Sequence, residues 1–421
     1  MSDVSDPSRR LFIRQGVATV GLGLVAPAFL ESIVAAQGRR QRQLIVIYLG
    51  GGNDALNTLV PYQDNAYYAR RPTIAIPPGQ VLQVGSDRAG RALGLHPRLE
   101  GLRNIFNEGR LAIVQRTGYQ DSSRSHFEAY DTFGHAKPGT TGGTGWLGRY
   151  LDTLPRPGDS LAAWSTVGGT PRALQSVQSP GVSIPDAASF AYASPNYGEV
   201  ALQERDAARA MALNVASGRP QLTFVNNITL SALETLDRVA DVAAYVPTTL
   251  YPNSDLGLAL KTVAGAMFYG IGSRVYWVQT GGYDTHSGQG GADGYYAGLM
   301  GVLGDGLWAF YDDIRNQNLL ADTTVIVYSE FGRRISENAS RGTDHGAAGL
   351  MLVLGGQVRG GLYGTSAALT PGNETLENDS GDVRFETDFR AVYARMLDQW
   401  LGVDSVPILG GNFRANAPAV F

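Results

Sequence analysis

The chain has 421 residues, 43% of them hydrophobic and none of them cysteine, so it can bury a sizeable core while disulfides, thiolate metal sites and cysteine nucleophiles are all excluded. A formal charge of −4 leaves no basic footprint for nucleic acid. Fifty-four glycines point to a loop-rich surface around a rigid sheet, the setting in which sites commonly lie.

At the N-terminus, Ser8-Arg9-Arg10-Leu11-Phe12-Ile13-Arg14 precedes an apolar run from Gly16 to Leu30 and the small-residue stretch Val34-Ala35-Ala36. That is the order of a secretory leader, and paired arginines followed by Phe and Ile give it the twin-arginine form, an address rather than an anchor. The run is shorter than the roughly 20 apolar residues of a membrane span and is broken by Gly21, Gly23 and Pro27. Residues 1–36 are therefore expected to be a signal peptide read by the twin-arginine translocase, leaving a periplasmic or extracellular mature chain without a transmembrane span. Because that route exports folded chains, a metal can be loaded before export.

Gln43-Leu44-Ile45-Val46-Ile47-Tyr48-Leu49 is a short continuous apolar run, the pattern of a strand buried on both faces, and it ends at once in Gly50-Gly51-Gly52-Asn53-Asp54. Leu99 to Phe106 has helical spacing, and Leu111 to Gln115 reads as a second buried strand. The stretch at about 155–252 is rich in Pro, Ser and Gly, with helical spacing only from Ser231 to Ala244, and is read as a cap or insertion. Beyond it come a helix over Gly257–Tyr269, a strand over Arg274–Gln279, a long helix over Tyr295–Arg315, strands over Thr323–Tyr328 and Leu350–Leu354, and a last helix over Thr387–Leu401. Strands alternating with helices predict one α/β domain over residues 43–421, a mostly parallel sheet with helices on both faces.

In such a sheet, ligands bind beyond the carboxyl ends of the strands. The segments there carry Asn53 and Asp54; Asp121-Ser122-Ser123-Arg124-Ser125-His126; Asp284-Thr285-His286; Ser329-Glu330-Phe331-Gly332-Arg333-Arg334; and Gly342-Thr343-Asp344-His345-Gly346. Three of the five histidines, His126, His286 and His345, fall in these segments, whereas His96 and His135 follow no strand so directly. Imidazole with carboxylate suits Zn, Mn or Fe, and oxygen ligands alone suit Mg or Ca. Asp54, Asp284, His286 and His345, with Asp344 beside them, are candidate ligands of one divalent ion. Each residue also has a plainer reading: Asp54 and Ser125 as helix caps, Asp284 with His286 as a hydrogen-bonded turn, Arg333 and Arg334 as solvated charges rather than an anion clamp. The turn Gly50-Gly51-Gly52 lacks the spacing of a dinucleotide fingerprint and the Lys of a phosphate loop.

The strings Gly-Gly-Asn-Asp at 51–54, Arg-Ser-His-Phe at 124–127, Gly-Trp-Leu-Gly-Arg-Tyr at 145–150, Asp-Thr-His, Ser-Glu-Phe-Gly-Arg-Arg, Gly-Thr-Asp-His-Gly and Asp-Phe-Arg-Ala-Val-Tyr at 388–393 occur in one order. Together they resemble the bacterial domain-of-unknown-function family numbered 1501, which is similar to the alkaline phosphatase and sulfatase superfamily. The resemblance implies that fold and hydrolysis or transfer of phosphate and sulfate esters. It makes Asp54 the metal-binding acid after the first strand, Ser125 or Ser122 the nucleophile, Asp284 and His286 the second acid and its histidine, and His345 the late ligand.

One departure is chemical. Where the superfamily strand ends in Ser-Asp-His-Gly or Ser-Asp-Asn-Gly, this chain has Ser329-Glu330-Phe331-Gly332, and Phe331 cannot ligate, which argues against a complete two-metal site. His126 is the nearest replacement by residue type.

Two functions follow as expectations. The first is an exported hydrolase of anionic phosphate or sulfate esters, with one divalent ion (Zn, Mn, Ca or Mg), Ser125 attacking, Glu330 ligating or moving protons, and Arg124 or Arg333 holding the anion. The second is a catalytically degenerate protein that binds an envelope polymer or partner through the cap and Tyr192, Tyr197 and Tyr251.

Overall fold

The computed structural model describes residues 41–421 apart from 141, 156–158, 191, 193, 215–218 and 379–380, and the leader expected over residues 1–36 lies outside them. Strand β1 (Gln43–Leu49) has every residue after the first buried. It is flanked by parallel strands on both sides, so Val46 lies opposite both Trp277 and Ile326. β2 (Leu59–Val60), β3 (Leu82–Ser86) and β4 (Ala92–Leu95) form a separate three-stranded antiparallel sheet in the order β2-β4-β3.

The main sheet adds β5 (Leu111–Gly118), β6 (Ala163–Ser165), β7 (Val182–Ser183), β8 (Val275–Thr280), β9 (Thr323–Tyr328), β10 (Gly349–Gly355), β11 (Gly361–Tyr363) and β12 (Thr387–Asp388). Its order is β11-β5-β10-β9-β1-β8-β6-β7, with β12 pairing β5. Every pairing is parallel except those of β10, which runs antiparallel to both β9 and β5. The mostly parallel α/β architecture is as the alternation of elements implies.

Alternate side chains of β1 enter different cores. Ile45, Ile47 and Leu49 pack with Leu256, Leu260, Tyr296, Met300 and Leu307 of the helices Asp255–Phe268 and Tyr295–Asn316. Leu44, Val46 and Tyr48 face Trp146, Tyr393 and Trp400 on the other side. Burial on both faces is why the strand reads as an unbroken apolar run; each such side chain contributes on the order of 1.5–3 kcal/mol.

Three differences from the sequence reading have local causes. The segment at 155–252 supplies β6 and β7 to the main sheet, and strands of three and two residues are too short to show a period. Its long helix starts at Pro220 rather than Ser231, because proline fits the first turn, where its missing N–H is no loss. The last helix is divided: Thr387–Asp388 is strand, Asp388 caps Phe389–Arg395, and Met396–Leu401 continues as a π-helix. Among the described residues no helix is long and apolar enough to cross a membrane.

Candidate metal centre

Central placement of β1 between β8 and β9 puts the loops after all three strands side by side at their carboxyl ends. Glycine makes their close approach possible. Gly51 has φ +124°, and a Cβ there would lie 2.3 Å from the Asp284 amide nitrogen; at Gly52, with φ +78°, it would lie 2.3 Å from the Phe331 ring. A short bridge between Arg333 and His345 folds the segment after β9 back on itself, so that His345 joins the group. His126 arrives from the loop after β5, as the first residue of the helix His126–His135.

Three imidazoles converge on Asp284. His345 Nε2 and His286 Nε2 each lie 3.1 Å from Asp284 Oδ1 and 2.9 Å from one another, while His126 Nε2 lies 3.4 Å from Oδ2. The other nitrogen of each ring faces an acceptor: His126 Nδ1 meets Glu330 Oε1 at 2.7 Å, His286 Nδ1 meets Asp344 Oδ1 at 3.3 Å, and His345 Nδ1 meets the Arg124 carbonyl at 2.8 Å. An acceptor at Nδ1 assigns the proton to that nitrogen, so each Nε2 turns a lone pair toward the carboxylate. His126 Nε2 is buried and has no hydrogen-bond partner among the described residues.

These donors fit a divalent cation. The ligating atoms of His126, Asp284 and His345 lie within 4.8 Å of one another, and His286 Nε2 adjoins them. Ligands of a tetrahedral zinc sit about 3.3 Å apart, near the spacings here. A carboxylate or carbonyl behind each histidine is the usual means of fixing ring orientation at such a site. The Phe331 ring, buried, packs against His126 and His345 with centroids 4.9 and 4.7 Å away, an apolar floor under two of the imidazoles.

Partial desolvation acts to raise the Asp284 carboxyl, but the hydrogen bond from Arg333 and the charge of that guanidinium act against it, and the group is held down at about 2. Asp344 is also lowered, first by a hydrogen bond from Asn338 and then, against partial burial, by His286. Both are therefore ionised at neutral pH, as metal ligation requires.

The structure does not bring Asp54 into this group. It is fully buried, and Oδ2 accepts from Arg71 Nη1 at 2.5 Å and from Gln289 Nε2 at 2.6 Å, while Oδ1 accepts from the Leu56 amide as a helix cap. Arg333 is likewise engaged: its guanidinium donates to the carbonyls of Gly51, Gly52, Tyr283 and Thr343 and to Asp284, so it positions that carboxylate and is no anion clamp. Arg124 donates to Glu377 at 2.8 Å, to Asp382 at 2.9 Å and to Ser122. Buried Glu330 accepts from the Gly51 amide at 2.9 Å and from Ser329, and orients His126 rather than facing Asp284.

Ser125 is exposed at the N-cap position, yet its hydroxyl makes no capping hydrogen bond. Of the three tyrosines read as a binding surface, Tyr197 is 91% exposed, whereas the Tyr251 hydroxyl is held by Asp313 and Tyr192 is partly buried. His96 does follow a strand directly, β4 of the small sheet, but it is buried, its ring bonded to the Gly291 carbonyl, and takes no part. Arg71 and Gln289 were invisible to sequence reasoning. Neither lies at a strand end or in a motif.

No curated protein matches the sequence. Among solved structures the chain is similar to the sulfatase PsFucS1 of Pseudoalteromonas sp., at 13% identity over 82% of this chain and 70% of that one, with a TM-score of 0.31. Two others are the alkaline phosphatase of the Antarctic bacterium TAB5 (10% identity, 79% and 96% coverage, TM-score 0.26) and the lipoteichoic acid synthase LtaP of Listeria monocytogenes (10% identity, 90% and 76% coverage, TM-score 0.28). With a match spanning residues 41–406, the chain belongs to the family described as Protein of unknown function (DUF1501).

Proposed function

We propose that the protein is an exported, metal-dependent hydrolase of phosphate or sulfate esters. The observation that carries this reading is the convergence of three histidine Nε2 atoms on one half-exposed carboxylate, each ring fixed from behind by an acceptor. His126, Asp284, His286 and His345 would hold one divalent ion, and Zn or Mn suits imidazole-rich ligation better than Mg or Ca. Such an ion polarises an ester oxygen and activates a hydroxyl at neutral pH. Ser125, whose hydroxyl is exposed and free of a capping bond, is the candidate attacking group beside His126. With Arg124 and Arg333 held by several short hydrogen bonds, the half-exposed Arg334, whose Nε lies 3.7 Å from Asp382 and which is close enough to Asp344 to help lower its carboxyl, is the guanidinium best placed to hold an anionic ester. Export by the twin-arginine route rests on the leader motif alone.

The test is elemental analysis of the folded full-length protein prepared without chelator, paired with turnover of an aryl phosphate, a phosphodiester and an aryl sulfate. Near-stoichiometric metal with turnover of one ester class, both abolished by Asp284→Ala, is the expected result. Absence of metal and of turnover would sink the hydrolase reading and favour an envelope-binding protein.

A further inference from the structure

We propose that Gln289 is a positioning residue that locks the two ligand-bearing loops of the metal centre onto the buried Asp54–Arg71 ion pair. The inference rests on the metal-site reading above and adds a device outside the donor set. Gln289 is fully buried, six residues before the helix Tyr295–Asn316. Its amide nitrogen donates to Asp54 Oδ2 at 2.6 Å, and its amide oxygen accepts from Thr285 Oγ1 at 2.9 Å and Thr343 Oγ1 at 2.7 Å. Thr285 stands between Asp284 and His286; Thr343 stands immediately before Asp344 and His345.

One side chain thus grips the middle of one ligand-bearing segment and the start of the other. The Thr343 amide donates to the Thr285 carbonyl at 3.0 Å, so the two segments meet directly as well.

Only one orientation of the amide satisfies these partners, because a carboxylate accepts and both hydroxyls have protons to give. The far end of the grip is anchored too. Arg71 pairs with Asp54 and donates to the carbonyls of Arg334 at 3.0 Å and Ile335 at 2.9 Å, which ties in the segment after β9. Four chain segments therefore share one buried polar network, in which every donor needs its acceptor because water cannot replace it. The metal ligands on the rim gain a fixed spacing from it. Donors held at the right separation bind a cation without first paying the entropy of loop ordering.

Cobalt(II) is a suitable probe, since its visible spectrum reports coordination geometry, and it is titrated alone into metal-stripped full-length protein. Gln289→Leu keeps the size and removes both ends of the grip. It is expected to weaken cobalt binding about 10–100-fold and to alter the spectrum, the range seen when groups behind metal ligands are removed. Wild-type affinity and spectrum in a folded Gln289→Leu protein would overturn the proposal while leaving the metal centre intact. Failure of the wild-type chain itself to bind cobalt would instead overturn the metal-site reading on which it rests.

Should Gln289→Leu not fold, the pair of substitutions at Thr285 and Thr343 takes its place. T285V/T343V removes the hydroxyls and T285S/T343S restores them. The proposal requires the valine protein to lose cobalt affinity and the serine protein to keep it, and equal affinities in the two would refute it.

Discussion

Asp54 and Asp284 occupy equivalent places in the chain, each in the loop after a parallel strand and each bonded to an arginine at about the same distance, 2.5 Å to Arg71 and 2.6 Å to Arg333. Their surroundings separate them. Asp54 is fully buried and has donors on both oxygens, whereas the Asp284 side chain is 47% exposed and faces three imidazole lone pairs. The same residue type, delivered by the same topology, is closed off where its lone pairs are saturated and open to a ligand where they are left over. Residue type and position after a strand are thus insufficient to name a ligand; what decides is whether donors from the chain already occupy both carboxylate oxygens.

The comparison is broken most severely by removing the buried cation. Arg71→Met leaves Asp54 charged, buried and unpaired, and is expected to cost about 3–5 kcal/mol, read as a fall in the urea midpoint. A loss under about 1 kcal/mol would mean that Asp54 is not held by that pair. At the rim, Glu330→Gln keeps an acceptor for the Gly51 amide but weakens the hold on His126 Nδ1. Metal affinity should fall about 10–100-fold with stability near wild type, and titration of the metal-stripped protein checks both.

Acid gives a smaller effect and a definite sign. With its carboxyl at about 2 in the folded chain and near 3.9 when unfolded, Asp284 is ionised in both states above pH ~4, where its stabilising contribution is complete. The contribution disappears as pH falls from ~4 through ~2; because the group is half exposed and screened, it amounts to no more than about 1 kcal/mol. Urea unfolding of Asp284→Asn beside the metal-free parent should show the two curves meeting at the acid end. Curves that stay parallel from pH 7 to pH 2 would remove the charge of Asp284 from the stability balance. Smallest of all is Ser125→Ala, which breaks no cap bond and should shift stability by less than about 0.5 kcal/mol while removing turnover.

Much of the sheet was legible because β1, β8, β9 and β10 are apolar runs whose length and composition state their burial. The reversed direction of β10 was not, since no side-chain pattern records the sense of a strand. β6 and β7 were too short to register. At the site, counting histidines after strands singled out His126, His286 and His345, and the structure brings all three together. Roles were harder to read. Asp54 looked like a ligand because its partner, Arg71, lies 17 residues away, just past a short helix, with nothing in its neighbours to mark it. Glu330 looked like a ligand because its acid is visible in sequence and the ring it orients is 204 residues distant.

The sheet order also sets the candidate site apart from one margin of the molecule. Beyond β8, the strands β6 and β7 form an edge that contributes none of the residues gathered around Asp284, all of which come from segments following β1, β5, β8 and β9. A reporter or affinity handle grafted near β7 would therefore leave the candidate metal centre untouched, whereas one placed after β5 would sit on it.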